Sequence, residues 1–229
     1  MSENSKSQAT TPWYFWKLTP REATVGVIAS LATILVGVSA FYVTQVTRAQ
    51  GSEISREVRA AGFAVDDDSC LIDPNEIRSG GPPKNGIPSL TDPDVMDGDD
   101  AEYLQPGDKV IGVVAGGEAR AYPLRILGYH EAVNDTLGRE HVLVTYCPLC
   151  DSSLVFDRDI GGEVREFGIS GLLYHSNVLL FDRHRADSKE SLWSQMLMKA
   201  VCGPAAEKRL TLELLPSEVA TWETWLAEH

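Results

Sequence analysis

The sequence predicts a mainly β protein with minor α content, built as an antiparallel sheet domain preceded by one N-terminal transmembrane helix. Short runs rich in β-branched residues follow one another from Lys109 onward and are separated by turn residues, as in antiparallel strands. An uncharged apolar stretch over residues 23–46 precedes them. With 229 residues, of which 43% are hydrophobic, the chain is long enough to enclose a packed core.

The apolar stretch over residues 23–46 has the length of a helix that crosses about 30 Å of hydrocarbon. Aromatic residues lie near its two ends, as in interfacial belts: Trp13, Tyr14, Phe15, Trp16, Phe41 and Tyr42. We predict an uncleaved single-pass anchor in the cell membrane, because the apolar region and its leader are too long for a typical signal peptide. Basic residues are balanced on the two sides. The basic residues therefore do not decide the orientation of the anchor. Long acidic domains are translocated readily, so we expect the C-terminal domain to be extracytoplasmic.

These features divide the chain into a tail over residues 1–22, the anchor over 23–46, a tether over 47–72 and a sheet-rich domain over 73–229. The net charge is −13, from 33 acidic and 20 basic residues. Such a surface repels phosphate backbones, so we expect the membrane as a partner, through residues 23–46, and no nucleic acid. No particular protein partner is predicted.

The segment over residues 92–100 is rich in aspartate but does not fit a calcium-binding loop. Counted from Asp92, the fifth position is Met96, and Gly98 falls one place late. We therefore interpret this segment as a solvated acidic loop.

The strands are predicted from local patterns. Two apolar runs flank Gly116 and Gly117, a pair typical of a two-residue hairpin turn. Further strands are predicted over residues 141–147, 153–157, 164–170, 178–182 and 210–215. Residues 217–229 are predicted to form a closing helix with Trp222, Trp225 and Leu226 on one face, packed into the core.

Cys147 and Cys150 stand two residues apart in "TYCPLCDSSLVFDR". The spacing suits a metal-binding turn, a redox pair or a structural disulfide. A glutaredoxin-type helix is disfavoured, because the residues after Cys150 favour a strand. Haem is excluded because Asp151 stands where a haem-attachment motif needs histidine, and no nucleotide is expected either. Cys70 and Cys202 are available for a long-range disulfide, which only their geometry can decide.

A metal held by Cys147 and Cys150 needs further ligands. His141 is excluded because six strand residues place it about 20 Å from Cys147. His130 and His175 lie outside that strand, near turns, and can reach the pair. The leading hypothesis is therefore copper or zinc bound by Cys147, Cys150, His130 and His175 in a membrane-anchored extracytoplasmic domain. A thiol–disulfide oxidoreductase and a non-catalytic interaction module with a structural disulfide remain alternatives, and whether the protein is an enzyme stays open.

Several motifs occur in the order found in a known family: "SGGPPKNGIPSL", "EARAYPLRIL", "HEAVNDTLG", "VTYCPLCDSSLVFDR", "GISGLLYHSNVLLFDR" and "SLWSQ". In these motifs the chain resembles the domain of unknown function 3179 family. The resemblance implies an extracytoplasmic prokaryotic protein and carries no established activity. It also implies that the polar motif residues converge beside the cysteine turn or, alternatively, support the sheet. The family usually has glycine at the place of Asp151 and asparagine at the place of His175.

Overall fold

The computed structural model describes residues 33–42, 57–184 and 189–229. The chain divides into two compact units, residues 1–49 and 50–229. In the first unit, residues 33–42 are helical. Within the described residues, no helix combines the length and the apolar character needed to cross a membrane. Residues 23–32 and 43–46 of the predicted anchor lie outside the described part, so the anchor stays a prediction.

The second unit is built mainly from antiparallel strands. The strands are β1 (Ile77–Ser79), β2 (Leu90–Thr91), β3 (Lys109–Ala115), β4 (Glu118–Pro123), β5 (Ala132–Leu137), β6 (Glu140–Cys147), β7 (Ser152–Asp157), β8 (Phe167–Tyr174), β9 (Asn177–Asp182), β10 (Leu192–Ser194), β11 (Lys199–Cys202), β12 (Glu213–Leu214) and β13 (Ser217–Thr221). Helices cover Leu124–His130, Pro204–Glu207 and Trp222–Glu228, and short 3-10 helices cover Asp67–Ser69, Pro74–Glu76 and Gly98–Asp100. The predicted mainly β, antiparallel domain is confirmed.

The strands form three sheets, with the orders β1-β8-β9-β10-β11, β12-β7-β6-β5-β2 and β13-β3-β4. The pair β2 and β5 is parallel, whereas the other strand pairs are antiparallel. Buried residues of the first two sheets share one apolar cluster, which includes Leu143 and Phe156 from one sheet and Leu180 and Trp193 from the other. The two sheets therefore pack against each other, and their strand ends can contribute side chains to one site.

Strand β6 is buried on both faces, and this places one cysteine inside the protein. Leu143 and Cys147 belong to the cluster between the first two sheets, while Val142 and Val144 belong to a second cluster with residues of β3 and β4. Side chains alternate between the faces of a strand, so an apolar run with buried residues on both faces is expected here. Cys147, at the end of this run, therefore points into the core.

Two hairpin turns use left-handed backbone. Gly116 (φ 57°) and Gly117 (φ 83°) connect β3 to β4, as predicted. His175 (φ 49°) and Ser176 (φ 64°) connect β8 to β9. A two-residue turn with positive φ at both positions favours glycine and asparagine. In this chain a histidine and a serine occupy these two positions.

The C-terminal segment differs from the single helix that the sequence predicts. Residues 217–229 are not one helix, because Ser217–Thr221 forms strand β13 along the edge of β3 and the helix begins at Trp222. The Thr221 hydroxyl accepts a hydrogen bond from the amide of Thr224, 3.3 Å away, and so caps the helix. Trp225 is buried, as predicted, whereas Leu226 is exposed. The predicted strand over 210–215 shortens to Glu213–Leu214.

Cys70 and Cys202 form a disulfide that joins residues 132 apart in the sequence. Cys202 ends β11, and Cys70 follows a 3-10 helix near the start of the second unit. The bond therefore fixes the N-terminal part of this unit to the edge strand of the first sheet. It also leaves Cys147 and Cys150 as the free cysteines of the chain.

Candidate functional site

The turn that carries both free cysteines lies between β6 and β7. Cys147 is the last residue of β6, and β7 begins at Ser152. Asp151 adopts a left-handed backbone (φ 46°), a conformation that glycine adopts most readily. In this chain the Asp151 carboxylate accepts a hydrogen bond from the hydroxyl of Tyr146, 2.9 Å away. That bond ties the end of the turn to the strand before it.

The two thiols have different surroundings. Cys147 is 1% exposed and belongs to the core, whereas Cys150 lies at the surface. The sulfur of Cys150 lies 3.9 Å from the backbone carbonyl oxygen of Cys147, to which its thiol can donate. The site thus pairs an accessible thiol with a buried one in the same turn.

Polar side chains from both packed sheets surround the exposed sulfur. The Cys150 sulfur lies 3.1 Å from the Ser152 hydroxyl and 3.3 Å from the Asn177 side-chain nitrogen. The side-chain oxygen of Gln195, which is fully buried, accepts hydrogen bonds from Ser152 (2.9 Å) and Asn177 (2.7 Å). Its nitrogen donates to the hydroxyl of Thr145 at 2.8 Å. Strands β6, β7 and β9 and the turn after β10 therefore meet at this sulfur.

The hydrogen atoms in this network can adjust to a negative charge on sulfur. The Ser152 hydroxyl has one hydrogen, which points to Gln195 in the structure. The Asn177 amide has two, so it can donate to Gln195 and to Cys150 at the same time. If Ser152 turns its hydrogen to the Cys150 thiolate, Gln195 still receives the Asn177 hydrogen bond. After this rearrangement, the side chains of Ser152, Asn177 and Gln195 each keep at least one hydrogen-bond partner.

These contacts separate the acidities of the two thiols. Partial burial is the largest influence on Cys150 and opposes ionisation, but hydrogen bonds from Ser152, Asn177 and Cys147 outweigh it and lower the pKa of Cys150. Burial raises the pKa of Cys147, and the hydrogen bond that it donates to Cys150 raises it further. Cys150 is therefore the thiol that ionises first, with Cys147 keeping its proton.

The two predicted histidine ligands have other contacts. The Nδ1 atom of His130 lies 2.7 Å from the carbonyl oxygen of Pro88, so Nδ1 donates the hydrogen and Nε2 is left as the nitrogen that could bind a metal. His175 is well exposed, its Nε2 atom lies 3.2 Å from a carboxylate oxygen of Glu76, and its ring lies against that of Tyr174 with an interplanar angle of 57°.

The structure does not bring these four predicted ligands together. Within the described residues, the group of three potential ligand atoms from His, Cys, Asp or Glu that lie within 4.8 Å of one another is Glu218, Glu228 and His229, all exposed. Neither Cys147 nor Cys150 has two such companions there. The metal site with His130 and His175 therefore stays a prediction.

Some of the polar motif residues support the sheets instead of the cysteine turn. The side chain of Asn134, which is fully buried, accepts a hydrogen bond from the Phe167 amide (2.7 Å) and donates to the Phe167 carbonyl (2.9 Å). It also donates to the carbonyl of Leu90 at 3.2 Å. The carboxylate of Asp135 accepts hydrogen bonds from Arg120 and Tyr122, each 2.8 Å long. Some of the polar motif residues therefore lie beside the cysteine turn, and others support the sheets.

Two members of the network, Ser152 and Thr145, are not predicted as site residues from the sequence. Both lie in ordinary-looking strand segments, and their role depends on Gln195, which is 43 and 50 residues further along the chain. The one local signal is the pair Ser152 and Ser153, which precedes the apolar part of β7.

No curated protein and no solved structure matches this chain. The family described as protein of unknown function (DUF3179) matches residues 84–229, which is well over half of the chain and contains the cysteine turn, Asn177 and Gln195. The resemblance seen in the sequence motifs is thereby confirmed, and the chain belongs to this family.

Proposed function

We propose that the domain uses Cys147 and Cys150 as a redox-active dithiol that exchanges with disulfides. One observation carries the proposal: an exposed sulfur accepts a hydrogen bond from Asn177, lies 3.1 Å from the Ser152 hydroxyl and shares its turn with a second, buried thiol. Thiol–disulfide exchange needs a thiolate that a substrate can reach and a second thiol close enough to resolve the mixed disulfide. The geometry favours Cys150 for the first role and Cys147 for the second.

The exchange has two steps. The Cys150 thiolate attacks one sulfur of a substrate disulfide, so a mixed disulfide forms while the substrate bond breaks, and the leaving sulfur takes up a proton. Cys147 then loses its proton and attacks Cys150, which forms the Cys147–Cys150 bond and releases the second substrate sulfur as a thiol. The pair loses two electrons and the substrate disulfide gains them. An external dithiol reductant restores the pair by the reverse exchange.

Binding of a copper or zinc ion is the second candidate function. Two free thiols in one turn provide two soft ligands for one ion, and thiolates select copper(I) and zinc among biological metals. The predicted histidine ligands would have to move to complete the coordination, starting with Nε2 of His130. This candidate requires both cysteines equally, whereas the redox proposal assigns them different roles.

Single-cysteine variants of the full-length chain test the redox proposal. With oxidised glutathione as the probe, Cys147→Ser should accumulate a mixed disulfide on Cys150, because the resolving thiol is missing. Cys150→Ser should accumulate far less, because Cys147 is buried. Intact-mass analysis measures both adducts, and the Cys70–Cys202 bond serves as an internal control that stays unchanged. Equal adducts in the two variants would contradict the assigned roles.

Metal analysis of the same preparations distinguishes the second candidate. A stoichiometric copper or zinc content in the wild-type chain, lost equally in both variants, would favour metal binding over exchange. A metal-free chain whose dithiol oxidises and reduces reversibly at a defined potential would favour exchange.

We further propose that residues 23–46 anchor the protein in the cell membrane with the family domain outside the cytoplasm. The support is the uncharged apolar length of the segment. A reporter fused after His229 that is active only outside the cytoplasm is the expected result, and cytoplasmic activity would overturn the orientation.

A further inference from the structure

A cavity of about 420 Å³ lies away from the cysteine pair, in the part of the second unit where the acidic segment meets the C-terminal helix. Its walls come from this segment, from β4 with the helix that follows it, and from Trp222–Glu228. Neither Cys147 nor Cys150 lines it. The volume falls within the range of pockets that bind small molecules, about 300–1,000 Å³.

Four aromatic side chains line this cavity: Tyr103, Tyr122, Trp222 and Trp225. Trp225 is fixed in place, because it is buried and its ring packs directly on Gly112 of β3. Tyr122 is fixed by the hydrogen bond that its hydroxyl donates to Asp135. Burial and the neighbouring Asp135 raise the pKa of Tyr122, so it remains a neutral phenol. Trp222 and Tyr103 are more accessible and lie closer to solvent.

Two carboxylates and one guanidinium line the cavity, together with the imidazole of His229. Asp94 and Asp97 line it and are exposed, and they belong to the acidic segment over residues 92–100. Arg120 also lines the cavity, but its guanidinium pairs with Asp135 at 2.8 Å and with Glu118 at 3.1 Å. These two carboxylates more than balance its charge. An anionic ligand would therefore meet net repulsion at this cavity, and a cation would be attracted.

We propose that this cavity binds a small organic cation of the quaternary ammonium class. Aromatic faces attract such cations through the ring quadrupole, and a methylated nitrogen needs no hydrogen-bond acceptor from the walls. The carboxylates of Asp94 and Asp97 supply long-range attraction at the entrance. A metal ion would instead need several converging oxygen ligands, which an aromatic wall does not provide.

Choline and its neutral isostere 3,3-dimethyl-1-butanol are the probes that test this proposal. The two molecules have nearly the same shape, so a difference in affinity reports the charge. Titration calorimetry with the full-length chain should give a dissociation constant for choline at least about tenfold lower than for the alcohol. Equal affinities, or no binding of choline at millimolar concentration, would overturn the proposal.

Matched variants locate the binding. Trp222→Leu keeps an apolar side chain but removes the ring, and it should weaken choline binding about tenfold while leaving the alcohol unaffected. The double variant Asp94→Asn with Asp97→Asn should also weaken choline binding. Asp99→Asn with Asp100→Asn is the control, because these residues carry the same charge in the same segment without lining the cavity. An equal loss in the two double variants would indicate unspecific attraction and would contradict a site in this cavity.

Discussion

The side-chain nitrogen of Asn177 lies 3.3 Å from the sulfur of Cys150 and joins the start of β9 to the cysteine turn. The same nitrogen lies 2.7 Å from the side-chain oxygen of Gln195. The Cys150 sulfur and this oxygen are two acceptors that together orient the Asn177 amide. Asn177 is 6% exposed, which keeps water from replacing this donor. The reactivity of Cys150 therefore depends on a residue in the other packed sheet.

Asn177→Ala should raise the pKa of Cys150, because the thiolate loses a hydrogen bond that stabilises it. Alkylation by iodoacetamide follows the thiolate fraction, so the pH midpoint of the rate should move upward and the rate at neutral pH should fall several-fold. Asn75→Ala is the matched control, since its side chain bonds only to the exposed Asp73. An unchanged midpoint in Asn177→Ala would show that this hydrogen bond does not stabilise the thiolate.

Asn134 connects the second sheet to β8 of the first, and its loss should destabilise the domain. Asn134→Ala leaves the buried amide of Phe167 and the partly buried carbonyl of Leu90 without these hydrogen bonds. Each buried unpaired group costs about 1–3 kcal/mol, so the free energy of unfolding should fall by about 3 kcal/mol. Urea unfolding of the full-length chain measures this change. Asn75→Ala again serves as the control and should cost less than about 1 kcal/mol.

The parts of the fold that the sequence predicts correctly depend on neighbouring residues. The turn at Gly116 and Gly117 and the apolar run of β6 are local patterns, and both are present. The helix predicted over residues 217–229 is wrong for residues 217–221, and the reason is a contact with a distant part of the chain. Residues 217–221 pair with β3, about 100 positions earlier in the chain, and this pairing overrides their local preference.

In the candidate site, too, the local pattern is predictable from the sequence and the contacts between distant residues are not. The spacing of Cys147 and Cys150 is enough to predict a turn between two strands. The partners of the exposed sulfur are not predictable in this way, because Asn177 and Gln195 come from the other sheet. The contact of His130 with the carbonyl of Pro88 joins residues 42 positions apart, so the sequence does not indicate which ring nitrogen is engaged.

The Cys70–Cys202 disulfide should contribute strongly to stability, because it closes a loop of 132 residues in the unfolded chain. Replacing both cysteines by serine should lower the free energy of unfolding by about 2–5 kcal/mol. Thiol titration of the denatured wild-type chain checks the pairing. Two thiols should react without reductant, and all 4 cysteines should react after reduction. Four reactive thiols before reduction would contradict the bond.

Gly112 in β3 has no room for a side chain, so we expect a larger residue at this position to destabilise the protein. A Cβ atom there would lie 2.0 Å from a ring carbon of Trp225, so Gly112→Ala must displace the tryptophan or shift the strand. Overpacking of this kind costs about 1–3 kcal/mol, and the change should appear as a lower urea midpoint and altered tryptophan fluorescence. Gly128→Ala is the control, because a Cβ in the helix Leu124–His130 meets nothing within 4 Å. This control should stabilise the protein by about 0.5–1 kcal/mol, since alanine is favoured over glycine in helices. If both variants shifted the midpoint in the same direction, the close contact between Gly112 and Trp225 would not explain the effect.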